Sequence, residues 1–505
     1  STGDPTEVAL VVLGDKHGVK KSELAAKNKR VAENPFDSDR KLMSTLNVEG
    51  DHYRVNTKGA MDHLLHIVTH VLYKGEVIPM TDEIKAKYMA IENLMSDDAL
   101  RVLGAAYKEV DSVIAPEDME KDLILIGMVG MIDPPRMEVK DSIHEAQQAG
   151  ITLIMITGDH KNTAVAIAKE LGIAKSLDQS VTGSEIDEFS DEEFAKNIVK
   201  YRVFSRVSPE HKVKIVRAFK AHGNIVSMTG DGVNDAPSLK FADIGVAMGI
   251  TGTDVAKGAA DMILTDDNFT TIVHAIEEGR NIYNNIKKAV IFLLSCNLGE
   301  VIAIFVAILL DMPVPLIATQ ILWVNLITDA LPALALGVDP GDHDVMKNKP
   351  RDPKESFFAH GAGYRAIVGG VLIGTLTLAA FYFGLTEFGH GIFSNDIPDR
   401  DLEYARTMAF VVLASSQLFY SISLRHDTKS IFQIGLFSNK YLIGAIVVGL
   451  ILQMSVIEID ALAAIFKCVD LSTSDWQMVF VFACMPLVVN EIEKLVTRMM
   501  SKSDN

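Results

Sequence analysis

A polar run in the middle of the chain has the composition of a Mg²⁺ and phosphate site. Residues 228–237 read MTGDGVNDAP, and the apolar residues 224–228 that lead into them predict a buried strand. Asp231 and Asp235 would then converge at the carboxyl end of a strand, where open α/β sheets bind ligands. Mg²⁺ takes one or two carboxylates together with a substrate phosphate oxygen. Taken alone, the run could also be a polar surface turn.

A second apolar run, residues 151–156, ends in the tripeptide Thr157-Gly158-Asp159. A helix-like segment follows at residues 163–171. A hydroxyl and free backbone amides at a helix N-terminus form an anion site, because the amides and the helix dipole point at a bound phosphate. The tripeptide is a common turn by itself, so its meaning depends on the neighbouring motifs.

Basic residues lie between these two runs. Arg206 and Lys212 belong to the segment 204–212, and Lys212 falls just inside a predicted helix. A lysine there can neutralise a transferring phosphoryl group, although a basic residue in a first helical turn is usually solvated. The three pieces in this order predict phosphoryl-transfer chemistry.

These motifs resemble those of P-type ATPases, and most closely the calcium-pump branch. These cation pumps have a phosphorylation domain of the haloacid dehalogenase superfamily. TGD and TGDGVNDAP resemble the family's phosphate and Mg²⁺ loops, and residues 133–136, DPPR, resemble its hinge. The resemblance runs from Gly3 to the last membrane segment. It implies that ATP donates its γ-phosphoryl group to an aspartate.

The resemblance also implies roles for the head residues. Lys212 would stabilise the phosphoryl charge, and Thr157 and Gly158 would hold its oxygens. Asp231 would hold Mg²⁺, while Asn234 and Asp235 would order the loop. Asp159 and Arg206 belong to the same predicted site.

Several parts of such a pump are expected to lie outside this sequence. Residues 1–7, STGDPTE, resemble a motif from the middle of the nucleotide domain. The DKTGT segment, whose aspartate is phosphorylated, is absent, as are the actuator domain and the first four membrane helices. The chain is therefore expected to be a C-terminal portion of a pump, with the missing N-terminal part as its partner.

The nucleotide end carries a second set of implied contacts. Phe36 resembles the ring that stacks on adenine, and Lys41 lies near it. Lys58 resembles the second adenine-pocket motif, Arg101 a phosphate contact and Glu7 a polar contact to adenine. Ser38 stands where the family often has a basic residue. Without the resemblance, Phe36 would be read as a core residue and Lys58 as a solvated turn residue.

Polar side chains inside apolar segments predict a cation path, because they are expensive in a bilayer. Asn297 and Glu300 share a helix face, and Asn325, Thr328 and Asp329 lie at i, i+3 and i+4 of the next segment. Such oxygen ligands suit Ca²⁺; interhelical hydrogen bonding is the structural alternative. The resemblance places all five in the calcium sites, and it puts Gln417 where a two-site pump has a glutamate.

Composition separates an acidic head from a membrane part. The net charge is -18, and the acidic excess lies mainly in the first 285 residues, which argues against nucleic-acid binding. The three cysteines lack disulfide or zinc spacing. Six apolar windows predict spans in an integral, multi-pass protein of the plasma membrane: 289–310, 315–337, 366–385, 407–424, 441–457 and 476–489. Basic loops place the head and C-terminus in the cytoplasm.

The predicted fold is therefore multidomain α/β plus membrane all-α. Residues 1–130 form a partial α+β nucleotide domain, and residues 131–282 form the C-terminal part of a haloacid-dehalogenase-like Rossmann phosphorylation domain. Residues 283–498 form a six-helix transmembrane bundle. The predicted function is ATP-driven Ca²⁺ transport with Mg²⁺. The alternatives are a pump for Mn²⁺ or Na⁺, a haloacid-dehalogenase phosphatase or kinase, and a truncated non-catalytic nucleotide-binding subunit.

Overall fold

The computed structural model describes residues 5–37, 40–97, 100–131, 137–359, 361–391, 393 and 397–503. It divides into two compact units, Ser1–Val273 and His274–Asn505. Ser38 and the hinge-like residues 133–136 lie outside the described residues, so their predicted roles stay predictions.

The first unit begins with a seven-stranded sheet in the order β1-β2-β3-β6-β7-β4-β5. Its neighbours are antiparallel except for the parallel pair β4 and β7. Leu46, Val55 and Leu64 belong to the core on one face. The strands are β1 Arg30–Asp37, β2 Leu42–Glu49, β3 His52–Gly59, β4 Val68–Tyr73, β5 Glu76–Pro79, β6 Arg101–Val110 and β7 Leu123–Met131. The helices are α1 Pro5–Lys16, α2 Lys21–Lys27, α3 Met61–Ile67, α4 Asp82–Asp97 and α5 Pro116–Met119.

The rest of this unit contains two three-stranded parallel sheets, β8-β10-β9 and β11-β12-β13. Ile156 packs against the hydrophobic cores of both. The strands are β8 Met155–Ile156, β9 Ser180–Thr182, β10 Val203–Ser205, β11 Ser227–Gly230, β12 Ile244–Met248 and β13 Met262–Leu264. The helices are α6 Val139–Gln148, α7 Lys161–Glu170, α8 Gly183–Glu188, α9 Asp191–Asn197, α10 Pro209–Ala221, α11 Ala236–Phe241 and α12 Asp254–Ala259.

The strand before the TGDGVND loop differs from the prediction. β11 begins at Ser227 and not at Asn224, and Ile225 is 62% exposed, so the prediction of a buried strand over 224–228 is wrong. Ile225 lies before the strand begins, and β11 is an edge strand of its three-stranded sheet in the described residues. The apolar run 151–156 likewise forms a strand only at Met155–Ile156.

The second unit is helical. Its helices are α13 Phe269–Leu309, α14 Ala318–Trp323, α15 Ala330–Gly337, α16 Ala362–Thr386, α17 Asp399–Ser423, α18 Ile431–Ile434, α19 Lys440–Glu458, α20 Asp460–Phe466 and α21 Thr473–Ser503. A π-helical turn, Val324–Thr328, joins α14 to α15. A helix therefore occurs at each of the six predicted spans.

Four of these helices are long and apolar enough to cross a membrane: α13, the continuous α14–α15, α16 and α19. α17 is less apolar, and it lies at the centre of the bundle, where Phe410, Leu413 and Leu418 are fully buried. A helix surrounded by other helices can hold buried polar side chains such as Ser416 and Gln417.

Candidate functional site

The TGDGVND loop is held to α10 by an ion pair. The Lys212 ammonium donates to the buried Asp235 carboxylate, and Lys212 is the fourth residue of α10, as predicted. The other oxygen of Asp235 accepts the backbone amides of Asp231 at 3.3 Å and Gly232 at 3.1 Å. Burial opposes its ionisation, but these donors outweigh burial and lower the pKa of Asp235. Asp235 therefore orders the loop.

Close packing at Gly230 brings the loop against Asp235. A Cβ atom on Gly230 would lie 2.5 Å from the Cβ of Asp235, so only glycine allows this approach. The Asp231 and Asn234 side chains are exposed at the carboxyl end of β11. Mg²⁺ fits Asp231 because a hard cation binds an accessible carboxylate together with phosphate oxygens. Across the described parts of the chain, no three His, Cys, Asp or Glu side chains gather into a metal site.

Asp267 supports the same region and was not predicted from the sequence. Its carboxylate accepts the amides of Gly249 at 2.6 Å, Ile250 at 3.0 Å and Thr251 at 2.8 Å. The turn that it braces ends at Thr253, whose amide donates to the Asp231 carbonyl at 2.8 Å. The hydrogen bond from Ile250, followed by those from Thr251 and Gly249, lowers the pKa of Asp267 to about 2. The sequence signal that could have indicated Asp267 is the acidic pair Asp266-Asp267, which follows the apolar residues of β13.

The TGD segment follows β8 as predicted. The Thr157 hydroxyl donates to the Asp159 carboxylate at 2.9 Å and accepts the Asp159 amide at 3.1 Å, which closes the turn. Gly158 is exposed, and a Cβ there would meet open space. The Val207 amide, next to Arg206, donates to the Thr157 carbonyl at 3.5 Å. The turn is therefore adjacent to the segment that leads into Lys212.

Arg206 has an unusual backbone conformation. Its φ is +49°, in the left-handed region, and its side chain is exposed. Non-glycine residues in this region are uncommon and cluster at functional sites. A Cβ atom on Gly183 would lie 2.5 Å from the Arg206 carbonyl oxygen, so the backbone at Arg206 packs closely against Gly183.

Two of the predicted nucleotide residues, Lys58 and Arg101, lie on one face of the seven-stranded sheet. Phe36 on β1 is 63% exposed, which rules out its alternative interpretation as a core residue. Lys58 on β3 pairs in register with Ala105 on β6, and Arg101 lies four residues along β6, so Lys58 and Arg101 share a face. Glu7 of α1 forms an ion pair with Lys58. Lys41 lies in the turn between β1 and β2 with a φ of +54°.

Most of the predicted cation ligands, but not Asn297, come together on three helices of the second unit. Asn325 in the π-helical turn donates to Glu300 of α13 at 2.9 Å and to the Ile321 carbonyl at 3.0 Å. Asp329 follows this turn and is fully buried, and its amide bonds to the Val324 carbonyl five residues earlier at 3.0 Å. π-Helical turns are rare and frequently mark functional sites. Gln417 of α17 lies beside Glu300.

Five buried polar atoms of this cluster form no hydrogen bond of normal geometry among the described residues, although Gln417 approaches Glu300 and Cys296 approaches Asp329. They are Glu300 Oε1, both carboxylate oxygens of Asp329, and the amide oxygen and nitrogen of Gln417. Buried polar atoms in folded proteins are nearly always satisfied, so such a group is a candidate ligand site. Cys296 lies beside Asp329 and was not predicted; its i, i+4 relation to Glu300 is the sequence signal.

Two predicted ligands are placed differently. Asn297 does not join the cluster, because its side chain is exposed and donates to the Leu293 carbonyl of its own helix at 2.8 Å. The residue facing Asp329 from α13 is its neighbour Cys296. The Thr328 hydroxyl donates to the Val324 carbonyl of its own helical turn at 2.9 Å, which is not the interhelical hydrogen bond considered for it from the sequence.

Comparison with known proteins gives matches at both ends of the chain. Residues 1–138 match the family model for the cytoplasmic domain N of P-type ATPases. Residues 313–496 match the model for the C-terminus of cation transporting ATPases. A relative from Bacillus cereus, calcium-transporting ATPase 1, is 55% identical over 504 residues, which cover 98% of this chain and 56% of that protein. The chain belongs to the P-type cation ATPase family.

Eukaryotic members of this family are also similar. Calcium-transporting ATPase 1 of Saccharomyces cerevisiae is 40% identical over 512 residues, covering 100% of this chain and 52% of that protein. Human calcium-transporting ATPase type 2C member 1 is 40% identical over 504 residues, covering 99% of this chain and 52% of that protein. The chain thus spans about half the length of the curated relatives it matches.

Proposed function

We propose that this P-type ATPase chain acts in ATP-driven Ca²⁺ transport through an aspartyl-phosphate intermediate. The observation that carries the proposal is the set of unpartnered buried oxygens on Glu300, Asp329 and Gln417. Burying carboxylates without partners is costly, and a bound cation removes that cost. Hard oxygen donors in a flexible arrangement suit Ca²⁺, which takes six to eight such ligands.

Asn297 completes this site in the proposal. Its amide is exposed one helical turn from Glu300, on the face that the described residues leave uncovered. A further membrane helix of the whole pump would pack there and add the remaining acidic ligand. Asn325 would then turn its amide oxygen toward the ion, and Thr328 would hold the π-helical turn.

The head supplies the phosphoryl chemistry. Lys212 neutralises charge on the transferring group, and the Thr157-Gly158 backbone holds phosphate oxygens at the end of β8. Asp231 holds Mg²⁺, which supplies positive charge to the phosphoryl oxygens when it is bound. Asp235 and Asp267 keep the Asp231 loop in place through their backbone hydrogen bonds. Asp159, Arg206 and Asn234 border the same opening.

The two small sheets support a haloacid-dehalogenase-like Rossmann arrangement. In the described residues β8 pairs with β10 alone and β11 with β12 alone, so each has an open edge. Ile156 packs into the cores of both sheets, which makes those edges neighbours. A parallel strand carrying the phosphorylated aspartate would pair with both edges. Its carboxyl end would meet Thr157 and Asp231.

The remaining assignments follow the same scheme. ATP would stack on Phe36, with Lys41, Lys58 and Arg101 near its polar groups and Glu7 near adenine. The domains would divide at residues 130 and 282, with the hinge at 133–136. All six helical segments would span the plasma membrane as a bundle, with the head and C-terminus in the cytoplasm. Residues 1–505 would assemble with the actuator domain and first four membrane helices.

Co-expression with the N-terminal half of a related pump tests this function. Membranes containing both parts should form an acid-stable phosphoenzyme from ATP in a Ca²⁺-dependent manner. Asp231→Ala should abolish the label, whereas Asp254→Ala, an exposed carboxylate on the neighbouring α12, should retain it. Label on residues 1–505 expressed alone would show that the acceptor lies within this chain and would contradict the proposal.

A further inference from the structure

The loop between α17 and α19 has the most exposed aromatic residues of the second unit. Phe432 is 85% exposed, Phe437 72% and Tyr441 73%. Phe432 lies on the short helix α18, Phe437 follows it, and Tyr441 is the second residue of α19. Three large aromatic side chains within ten residues, here called the aromatic patch, are thus exposed, and exposed apolar surface of this kind marks a site of contact with another phase or molecule.

This loop is held firmly from its inner side. The buried Arg425 guanidinium donates to the Gly435 carbonyl at 3.0 Å and to the Ser438 hydroxyl at 2.7 Å. Arg425 is itself fixed by the Asp339 carboxylate at 2.9 Å. Asn439 caps α19 and also donates to Asp339 at 2.9 Å. The aromatic side chains therefore project from an ordered support and lose little conformational entropy on binding.

The end of α21 continues the same surface. Arg498 donates to Gln433 at 2.9 Å, and the Ser430 hydroxyl donates to Glu491 at 2.6 Å, so α21 and the loop are in contact. An exposed apolar stripe with helical spacing runs along this part of α21: Ile492, Leu495, Val496 and Met499. The 31 residues of α21 are about 46 Å long at 1.5 Å per residue. That exceeds the roughly 30 Å hydrocarbon core of a bilayer, so α21, if it spans the membrane as proposed above, would extend beyond that core.

We propose that Phe432, Phe437 and Tyr441 form an interfacial anchor in the phospholipid headgroup region at the start of α19. The occupant is the bilayer, because the patch is continuous with α19, which is apolar enough to cross it. Aromatic side chains favour the membrane boundary, where an apolar ring and a polar edge are both satisfied. The exposed Lys440 beside them supplies the positive charge that phosphate headgroups attract.

The anchor has a mechanical consequence. Arg425 and Asp339 connect the loop to α13 through the Lys288 ammonium, which donates to Asp339 at 3.0 Å. The aromatic patch would thus fix the depth of the ionic cluster of Arg425, Asp339 and Lys288 relative to the membrane surface. The inference rests on the proposed function because it requires the apolar helices to span a bilayer.

Tryptophan scanning of the whole protein in lipid vesicles tests the anchor. The variants are Phe432→Trp and Tyr441→Trp, with Ile225→Trp as an exposed head control and Ile451→Trp as a control within α19. Emission of the parent, from Trp323 and Trp476, is subtracted. Phosphatidylcholine whose acyl chains are brominated near the glycerol ester should quench the fluorescence of both anchor variants at least about twofold more than that of Ile225→Trp. Lipid brominated near the methyl end should quench Ile451→Trp more strongly, and iodide should quench Ile225→Trp more strongly.

Three results would overturn the anchor. Iodide and lipid quenching of Phe432→Trp equal to those of Ile225→Trp would mean that the patch is in water. Blue-shifted emission without lipid quenching would mean that protein covers it, either another part of the pump or a second copy. If Ile451→Trp is also untouched by brominated lipid, α19 does not span, and the proposed membrane function falls together with the anchor.

Discussion

Asn325 donates a hydrogen bond to Glu300 across 2.9 Å, between the π-helical turn and α13. This contact joins the two helices that were predicted to supply cation ligands. It satisfies one oxygen of Glu300 and leaves the other unpartnered beside Gln417. Glu300 therefore has one satisfied carboxylate oxygen and one that a bound cation could satisfy.

Gln417→Glu should raise the number of Ca²⁺ ions transported per ATP. The substitution adds a negative charge beside Glu300 at a fully buried position, which favours a second divalent ion. The measurement is the ratio of Ca²⁺ uptake to ATP hydrolysis in vesicles. Gln453→Glu is the matched control, because Gln453 is equally buried but lies on α19 and accepts from Trp323. An unchanged ratio for Gln417→Glu, or an equal rise for both variants, would remove Gln417 from the ion site.

Lys212→Ala should loosen the TGDGVND loop and destabilise the head. It leaves the buried Asp235 carboxylate without its cation, which costs roughly 1–3 kcal/mol. Lys214→Ala, two residues along α10, removes a pair with the exposed Asp191 and a contact with the Phe194 ring, and should cost about 1 kcal/mol or less. Denaturant unfolding and hydrogen exchange at residues 230–235 compare the two variants. Equal exchange in both would mean that the Lys212 pair does not hold the loop.

The Asp235 charge also gives a pH dependence. Its pKa is lowered in the folded protein, so its stabilisation is present above the ordinary value of 3.8 and is lost as pH falls through the lower folded value. Asp235→Asn should therefore flatten the dependence of stability on pH below about 4. A variant with the parent's acid transition would show that Asp235 does not contribute to it.

Asp267→Asn should weaken Mg²⁺-dependent phosphorylation without touching the metal site. The amide replaces a carboxylate oxygen with a donor, which cannot accept the backbone amides of the 249–251 turn. Since the pKa of Asp267 is about 2, protection of these amides should persist above its ordinary pKa and be lost as pH falls toward 2. Mg²⁺ titration of phosphoenzyme and hydrogen exchange provide the two readouts. Asp266→Asn is the control, because Asp266 bonds to Asn268 and Thr271 instead.

Phe36→Ala should weaken ATP binding several-fold. A ring stacked on a base contributes on the order of 1–3 kcal/mol, and Phe36 is exposed and accessible to a ligand. Isothermal titration calorimetry on the whole protein measures the loss. Tyr73→Ala is the control, since Tyr73 is similarly exposed but lies on β4, toward the other end of the sheet. Equal affinities for the parent and Phe36→Ala would place the nucleotide elsewhere.

Local patterns predicted the elements that carry the head motifs. Apolar runs followed by TGD and TGDGVND correctly placed Thr157 after β8 and Asp231 after β11, and the segment before Lys212 correctly indicated α10. Strand ends were less accurate because burial decides them. Ile225 is apolar yet exposed, because it lies before β11 begins, and no local pattern marks that boundary.

The contacts that complete each site are long-range and were not visible in the sequence. Asp267 reaches back 16 to 18 residues to its turn, and Arg425 meets Asp339 over 86 residues. Asn297 was assigned to the face of Glu300 from ideal helical spacing. In the structure the Asn297 amide is exposed and bonds within its own helix, while its neighbour Cys296 lies beside Asp329. The π-helical turn at Asn325 breaks the regular spacing on which such assignments depend.

ATP-driven uptake of radioactive Ca²⁺ by vesicles containing the whole pump is the most direct test of the central claim. Glu300→Gln and Asp329→Asn should each lower apparent Ca²⁺ affinity at least about tenfold, because each removes a charge from a buried cation site. Asp311→Asn, at a turn outside the cluster, should pump normally. Phosphorylation by inorganic phosphate without Ca²⁺ should survive in all three. Unaltered Ca²⁺ affinity in both Glu300→Gln and Asp329→Asn would show that the cluster is structural and would contradict the account.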